Sequence, residues 1–198
     1  MDSKELLYDH YKETFSLIQS SVKQRNRLFV GLFFVIAVHF LLAVSPESIP
    51  AIIISIVQNQ YKVDISNHMS IIQSFLWALL LYLSMRYYQS TVYIERQYHY
   101  IYSLETDIAG LANIKFDREG TNYLSNYPKM NDFIDYLYKW LFPLAYAILI
   151  CYKIVTEYNT SFSLLSSLFN GAVFCACLIL DILYLSFLHR RPKASKGK

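Results

Sequence analysis

Residues 164–187 read LLSSLFNGAVFCACLILDILYLSF, twenty-four residues with Asp181 as the sole charge. An α-helix rises 1.5 Å per residue, so about 20 apolar residues cross the ~30 Å hydrocarbon core of a bilayer. A hydrophobic segment in lipid must satisfy its own backbone N–H and C=O groups, which selects the helix. The block ends against His189-Arg190-Arg191-Pro192, a basic stop. Three further blocks of the same kind lie upstream. Residues 28–44 follow Lys23, Arg25 and Arg27 and stop before Ser45-Pro46; residues 70–88 exit at Arg86; residues 136–155 form the third. The expected fold is therefore all-α, a four-transmembrane-helix bundle with cytoplasmic helical extensions.

Composition agrees. Hydrophobic residues make up 55% of the 198 and charged residues 17%, against about 25% charged in soluble domains. A soluble domain of this size has too little interior to hide that much apolar surface. The aromatic load, eighteen Tyr and thirteen Phe, suits a chain with membrane interfaces, where such rings are enriched.

Basic residues set the expected orientation. Lys4, Lys12, Lys23, Arg25 and Arg27 precede the first span; Arg86, Arg96, Lys115, Arg118, Lys129 and Lys139 lie between the second and third; Arg190, Arg191, Lys193, Lys196 and Lys198 follow the fourth. The two other connections hold only Lys62. The positive-inside rule then puts both termini and the middle segment in the cytoplasm of a multi-pass inner-membrane protein. The expected divisions are a cytoplasmic amphipathic helix (1–27), two spans (28–88) joined by an outer interfacial segment (46–69), a cytoplasmic helix and loop (89–135), two more spans (136–187) and a basic cytoplasmic tail (188–198). The first 27 residues are charged and helix-patterned, unlike a signal peptide.

Leu7, Tyr11, Phe15, Ile18 and Val22 recur at three- and four-residue steps, and so do Ile94, Tyr98, Ile101, Leu104, Ile108 and Leu111. Each series makes one apolar stripe on a helix. Two such helices should pack on each other or on another subunit. Between outer residues 46 and 69, Ala51-Ile52-Ile53-Ile54 is too short to cross and return, which predicts a re-entrant or interfacial helix. Residues 113–130 are polar but aromatic-rich, with Gly120 and Pro128 as turn signals. They predict an ordered surface loop, and Arg118, Glu119, Tyr123 and Tyr127 are its candidate partner or signal contacts.

Catalytic, cofactor-binding and metal-binding motifs are absent. There is no Gly-rich phosphate loop, no nucleophile elbow and no His-Glu-x-x-His. Cys151, Cys175 and Cys177 lack zinc-ligand spacing and suit helix packing. Arg96 and His99 stand closer than the Arg and His of HEPN-fold ribonucleases. No enzyme, no cofactor and no direct nucleic-acid binding are expected. Polar groups within the spans are the better functional candidates, because ionisable groups at membrane depth are costly. These are His39 in the first span, Arg86 at the end of the second and Asp181 in the fourth. Arg86 and Asp181 are placed to form an ion pair if their spans adjoin; alternatively His39 and Asp181 line a hydrated path. Lys153 can snorkel or pair with Glu157 one turn on, and Gln73 and Asn170 lie in outer halves.

The order of features resembles small membrane proteins of prokaryotic antiviral systems. Its carriers are Lys23-Gln-Arg-Asn-Arg27 before the first span, the long helix after the second, and Arg118-Glu-Gly-Thr-Asn-Tyr-Leu-Ser-Asn-Tyr-Pro128 before the third. The groups in question are the SMODS-associated membrane effectors and the multi-span accessory proteins beside type VI-B CRISPR effectors. The resemblance implies an oligomeric effector or accessory subunit that perturbs inner-membrane integrity or potential. A cytoplasmic defence protein or signal molecule would trigger it, and its partners would be the bilayer and further copies of itself. A small ion channel or transporter, and a non-transporting membrane scaffold, are the alternatives.

Overall fold

The computed structural model describes residues 3–125, 133, 136–159 and 163–189. Every element among them is helical: α1 (Ser3–Val44), α2 (Ser48–Tyr61), a 3-10 turn (Ser66–His68), α3 (Met69–Ala112), α4 (Glu119–Ser125), a π-helical turn (Leu137–Leu141), α5 (Phe142–Tyr158) and α6 (Leu164–His189). Four of the helices contain stretches long and apolar enough to cross a membrane. α1 and α3 have 42 and 44 residues, about twice the ~20 a span needs. The chain separates into two compact units, residues 1–29 with 86–135, and residues 30–85 with 136–198.

In the first unit the two predicted apolar stripes meet. Tyr11 and Ile18 of α1 pack with Ile101, Leu104 and Ile108 of α3, flanked by Leu7, Phe15, Val22, Tyr98 and Phe116. The helices thus form an intramolecular hairpin. Asn113 ends α3 with a positive φ of 52°, a backbone region that Asn tolerates.

In the second unit each helix repeats buried positions at three- and four-residue steps. They are Leu32, Val35, Ile36 and His39 on α1; Gln73, Trp77, Leu80 and Ser84 on α3; Tyr146, Ile150, Lys153 and Glu157 on α5; Asn170, Val173, Cys177 and Asp181 on α6. The opposite faces are bare hydrocarbon: Phe33 is 60% exposed, Phe75 68%, Ile148 61% and Leu168 63%. Polar groups inside and apolar groups outside invert the pattern of a water-soluble bundle, and the pattern fits lipid as the solvent.

The connection between the first two candidate spans is a helix, as its hydrophobicity predicts. α2 has no fully buried residue. Ile49, Ile53, Ile54 and Val57 are half-buried on one face, while Ile52 and Ile56 are exposed on the other. Lys62 stops it in the left-handed conformation, φ 58°, with its N–H on the Gln58 carbonyl. Asp64 then turns the chain by accepting the Ser66 N–H at 2.9 Å, and that bond holds its carboxyl below the ordinary range. The π turn before α5 has a local cause. Pro143 has no N–H to give the residue-139 carbonyl, and the Phe142 N–H reaches back to Leu137 instead.

Candidate functional site

The predicted loop of residues 113–130 is not a plain loop. Residues 119–125 form α4, and one carboxylate explains why. Glu105, on α3, is 1% exposed. It accepts the backbone N–H of Arg118 (3.3 Å), Gly120 (2.8 Å) and Thr121 (2.9 Å), the Thr121 hydroxyl (2.8 Å) and the Tyr11 hydroxyl (3.2 Å). The first N–H groups of a helix have no partners within it. Here a distant side chain serves as the cap, and its negative charge suits the positive end of the helix.

Gly120 is likewise not a turn residue. It lies in the first turn of α4, where a Cβ would stand 2.7 Å from the Tyr102 N and 2.8 Å from its Cα. Only a residue without a side chain lets α4 approach the α3 backbone this closely. Phe116 closes the clasp by meeting Tyr8 and Tyr11 edge-on, at 6.3 and 5.6 Å between centroids. Of the predicted contacts here, Arg118 and Glu119 are exposed, and the Arg118 guanidinium lies 5.8 Å from the Phe116 ring centre. Tyr123 is on α4 with only its backbone described, and Tyr127 and Pro128 lie outside the described residues.

The second unit holds two buried polar layers. In the first, Lys153 and Glu157 of α5 form an ion pair of 2.7 Å at 2% and 6% side-chain exposure. The pairing predicted from their spacing is present, and Lys153 does not snorkel. Its ammonium also donates to Gln73 Oε1 at 2.8 Å. Trp77 Nε1–H donates to both Glu157 oxygens at 3.0 Å, and the Asn170 amide donates to Oε2 at 3.0 Å. Three helices thereby satisfy one charge pair, which is the condition for burying one. His39 of α1 joins through the Trp77 ring, 4.9 Å between centroids. It is 4% exposed. Its ring faces the Leu76 backbone, yet neither ring nitrogen makes a hydrogen bond among the described residues. Asn170 Oδ1 and Ser74 Oγ are unpartnered there too.

The second layer is built on Ser84 and Tyr146, whose hydroxyls are 2.9 Å apart, with Ser84 also donating to the Leu80 carbonyl at 2.7 Å. Cys177 lies within hydrogen-bonding reach of the Tyr146 hydroxyl, and buried Asp181 follows one turn further along α6. Between the layers, along their helices, lie the buried apolar residues Leu80, Ile150 and Val173. Trp77 and Ser84 are seven residues apart, roughly 10 Å along α3.

The predicted site residues are thus distributed. His39 and Asp181 sit in different layers and do not share one cluster. Arg86 is exposed, donates to Gln89 at 3.5 Å and belongs to the other unit. Glu105, Trp77, Ser84 and Tyr146 were not singled out from sequence. A carboxylate beside the Ile101, Leu104 and Ile108 stripe was the available signal for Glu105; Ser, Tyr and Trp in a span carry no such signal. Among the described residues no group of His, Cys, Asp and Glu is arranged to hold a metal ion. No family model, curated protein or solved structure matches the chain.

Proposed function

We propose that the protein is a membrane effector that opens an ion path through its second unit when its first unit receives a signal. The observation that carries this reading is the pair of buried polar layers with an apolar layer between them. Ionisable groups inside spans are costly to bury and are functional candidates by default. An apolar constriction between hydrated sections closes such a path by excluding water. The α3–α4 clasp, with exposed Arg118 and Glu119, is the surface assigned to the signal. The antiviral setting rests on the resemblance stated above, with both termini cytoplasmic in an inner membrane and further copies of the chain as partners. One observation favours a second reading, a non-transporting scaffold: donors on three helices already satisfy the Glu157 carboxylate.

The test compares the wild-type protein with Leu80→Ser and Ile150→Ser in voltage-dye-loaded liposomes. The effector reading expects the polar substitutions to raise ion flux at least tenfold over wild type. Absence of flux from all three proteins would overturn it in favour of the scaffold. Overexpression in cells should in parallel lower membrane potential more strongly for Leu80→Ser than for wild type.

A further inference from the structure

We propose that a band of four cations on the first unit, Lys23, Arg25 and Arg27 of α1 with Arg86 of α3, binds the anionic headgroups of membrane phospholipids. The proposal goes beyond the effector reading and does not depend on an open ion path.

The four cations lie at one level of the hairpin. Tyr11 of α1 meets Glu105 of α3 and Phe29 meets Tyr87, the last two with 5.7 Å between ring centroids, so the helices run in opposite directions. Arg27 stands two residues from the Phe29 ring and Arg86 one residue from the Tyr87 ring. At 1.5 Å of rise per residue, all four cations fall within roughly 10 Å along the hairpin axis. A headgroup layer is about 5–7 Å deep on each side of the hydrocarbon core, and the long stems of Lys and Arg carry their charges toward it from either side.

The charges in this band are uncompensated. Residues 14–46 and 65–94 contain no Asp or Glu. The Arg25 guanidinium donates to the Asn26 side chain at 3.2 Å and that of Arg86 to Gln89 at 3.5 Å, both neutral partners. None of the four cations has a carboxylate partner among the described residues. Other cations of the same unit do: Lys12 pairs with Asp9 at 3.2 Å and Lys115 with Asp117 at 2.9 Å.

The neighbours of the cations select the occupant. Lys23, Arg27, Val30 and Phe34 follow one another at four- and three-residue steps on one exposed face of α1, and Val30 and Phe34 are 68% and 69% exposed. On α3, Tyr82, Met85, Arg86 and Gln89 share an exposed face in the same way. Along each helix the exposed surface changes from hydrocarbon to uncompensated positive charge within about one turn. A molecule with a negative head and an acyl tail matches both parts of such a face, which is the arrangement of a basic cluster beside a span that recognises anionic lipid. A free phosphate or a nucleic acid matches the charge alone.

The experiment titrates full-length protein in dodecyl maltoside with fluorescent phosphatidylglycerol, and in parallel with phosphatidylcholine of the same acyl chains. Wild type should bind phosphatidylglycerol at least tenfold more tightly than phosphatidylcholine. Each cation beside anionic lipid contributes roughly a fivefold factor. The variant Lys23→Gln/Arg25→Gln/Arg27→Gln/Arg86→Gln should therefore bind phosphatidylglycerol at least tenfold more weakly, with phosphatidylcholine binding and helical content unchanged. If that variant does not elute as a folded species, Arg27→Gln/Arg86→Gln carries the same comparison with a loss of at least fivefold. Lys12→Gln/Lys115→Gln removes two cations outside the band and should bind as wild type. Absence of headgroup preference in wild type, wild-type affinity in the band variants, or an equal loss in Lys12→Gln/Lys115→Gln overturns the band as the lipid site. Displacement of the lipid by inorganic phosphate at matched ionic strength, or by single-stranded RNA at concentrations below that of the lipid, overturns phospholipid as its occupant.

Discussion

Replacing Glu105 should undock α4 while leaving the α1–α3 hairpin folded. The side chain is 1% exposed and takes backbone N–H groups from Gly120 at 2.8 Å and Thr121 at 2.9 Å. Glu105→Ala leaves both without an acceptor. An unsatisfied buried donor costs about 1–3 kcal/mol, so two cost about 3–4 kcal/mol taken at the middle of that range. Seven residues are too few for a helix to persist alone, so α4 depends on this cap and on its close packing at Gly120. The hairpin keeps Ile18, Ile101, Leu104 and Ile108. Amide hydrogen exchange on the full-length protein in nanodiscs reads this directly. Peptides covering residues 119–125 should exchange about 100- to 1,000-fold faster, at ~1.4 kcal/mol per decade, and peptides covering residues 11–22 should change little. Glu105→Gln keeps one accepting oxygen and turns an amide N–H toward a donor. It should lose about 2 kcal/mol, or about 30-fold in exchange. Unchanged protection of residues 119–125 in Glu105→Ala would refute the capping argument. Equal loss across the hairpin would show that Glu105 holds the whole unit.

Three further outcomes are expected. Gly120→Ala puts a methyl 2.7 Å from the Tyr102 nitrogen; overpacking of about 1–3 kcal/mol should loosen α4 in the same exchange assay, and full protection would count against the close approach. Lys153→Met strands the Glu157 carboxylate, so unfolding in detergent should show a loss of about 3 kcal/mol. The double variant Lys153→Met/Glu157→Gln should regain most of it, whereas additive losses would mean the pair does not act as a unit. Trp77→Phe keeps the ring beside His39 but removes the donor to Glu157. It should cost about 1–2 kcal/mol in the same assay, and a stability equal to wild type would show that other donors replace Trp77.

The amino-acid sequence by itself determined where the chain enters lipid and which residues make helices. Those properties are one-dimensional: a run of ~20 apolar residues, a three- and four-residue apolar step, a basic stop. The four candidate spans, the helix between the first two and the facing stripes of Tyr11–Ile18 and Ile101–Ile108 were legible on those grounds, as was the Lys153–Glu157 pair, because i and i+4 share a helix face. Tertiary structure alone decided what the polar residues do. Glu105 reads as one more surface charge until Gly120 and Thr121, fifteen and sixteen positions on, are brought to its oxygens. Gly120 reads as a turn until the Tyr102 backbone is seen against it. His39 and Asp181 stand on different helices, and the register gives each its own layer, with Leu80 and Ile150 between. Such relations join residues far apart in sequence, 80 positions for Trp77 and Glu157 and 94 for Tyr11 and Glu105. They depend on which faces of the helices meet, and hydrophobic periodicity leaves that choice open.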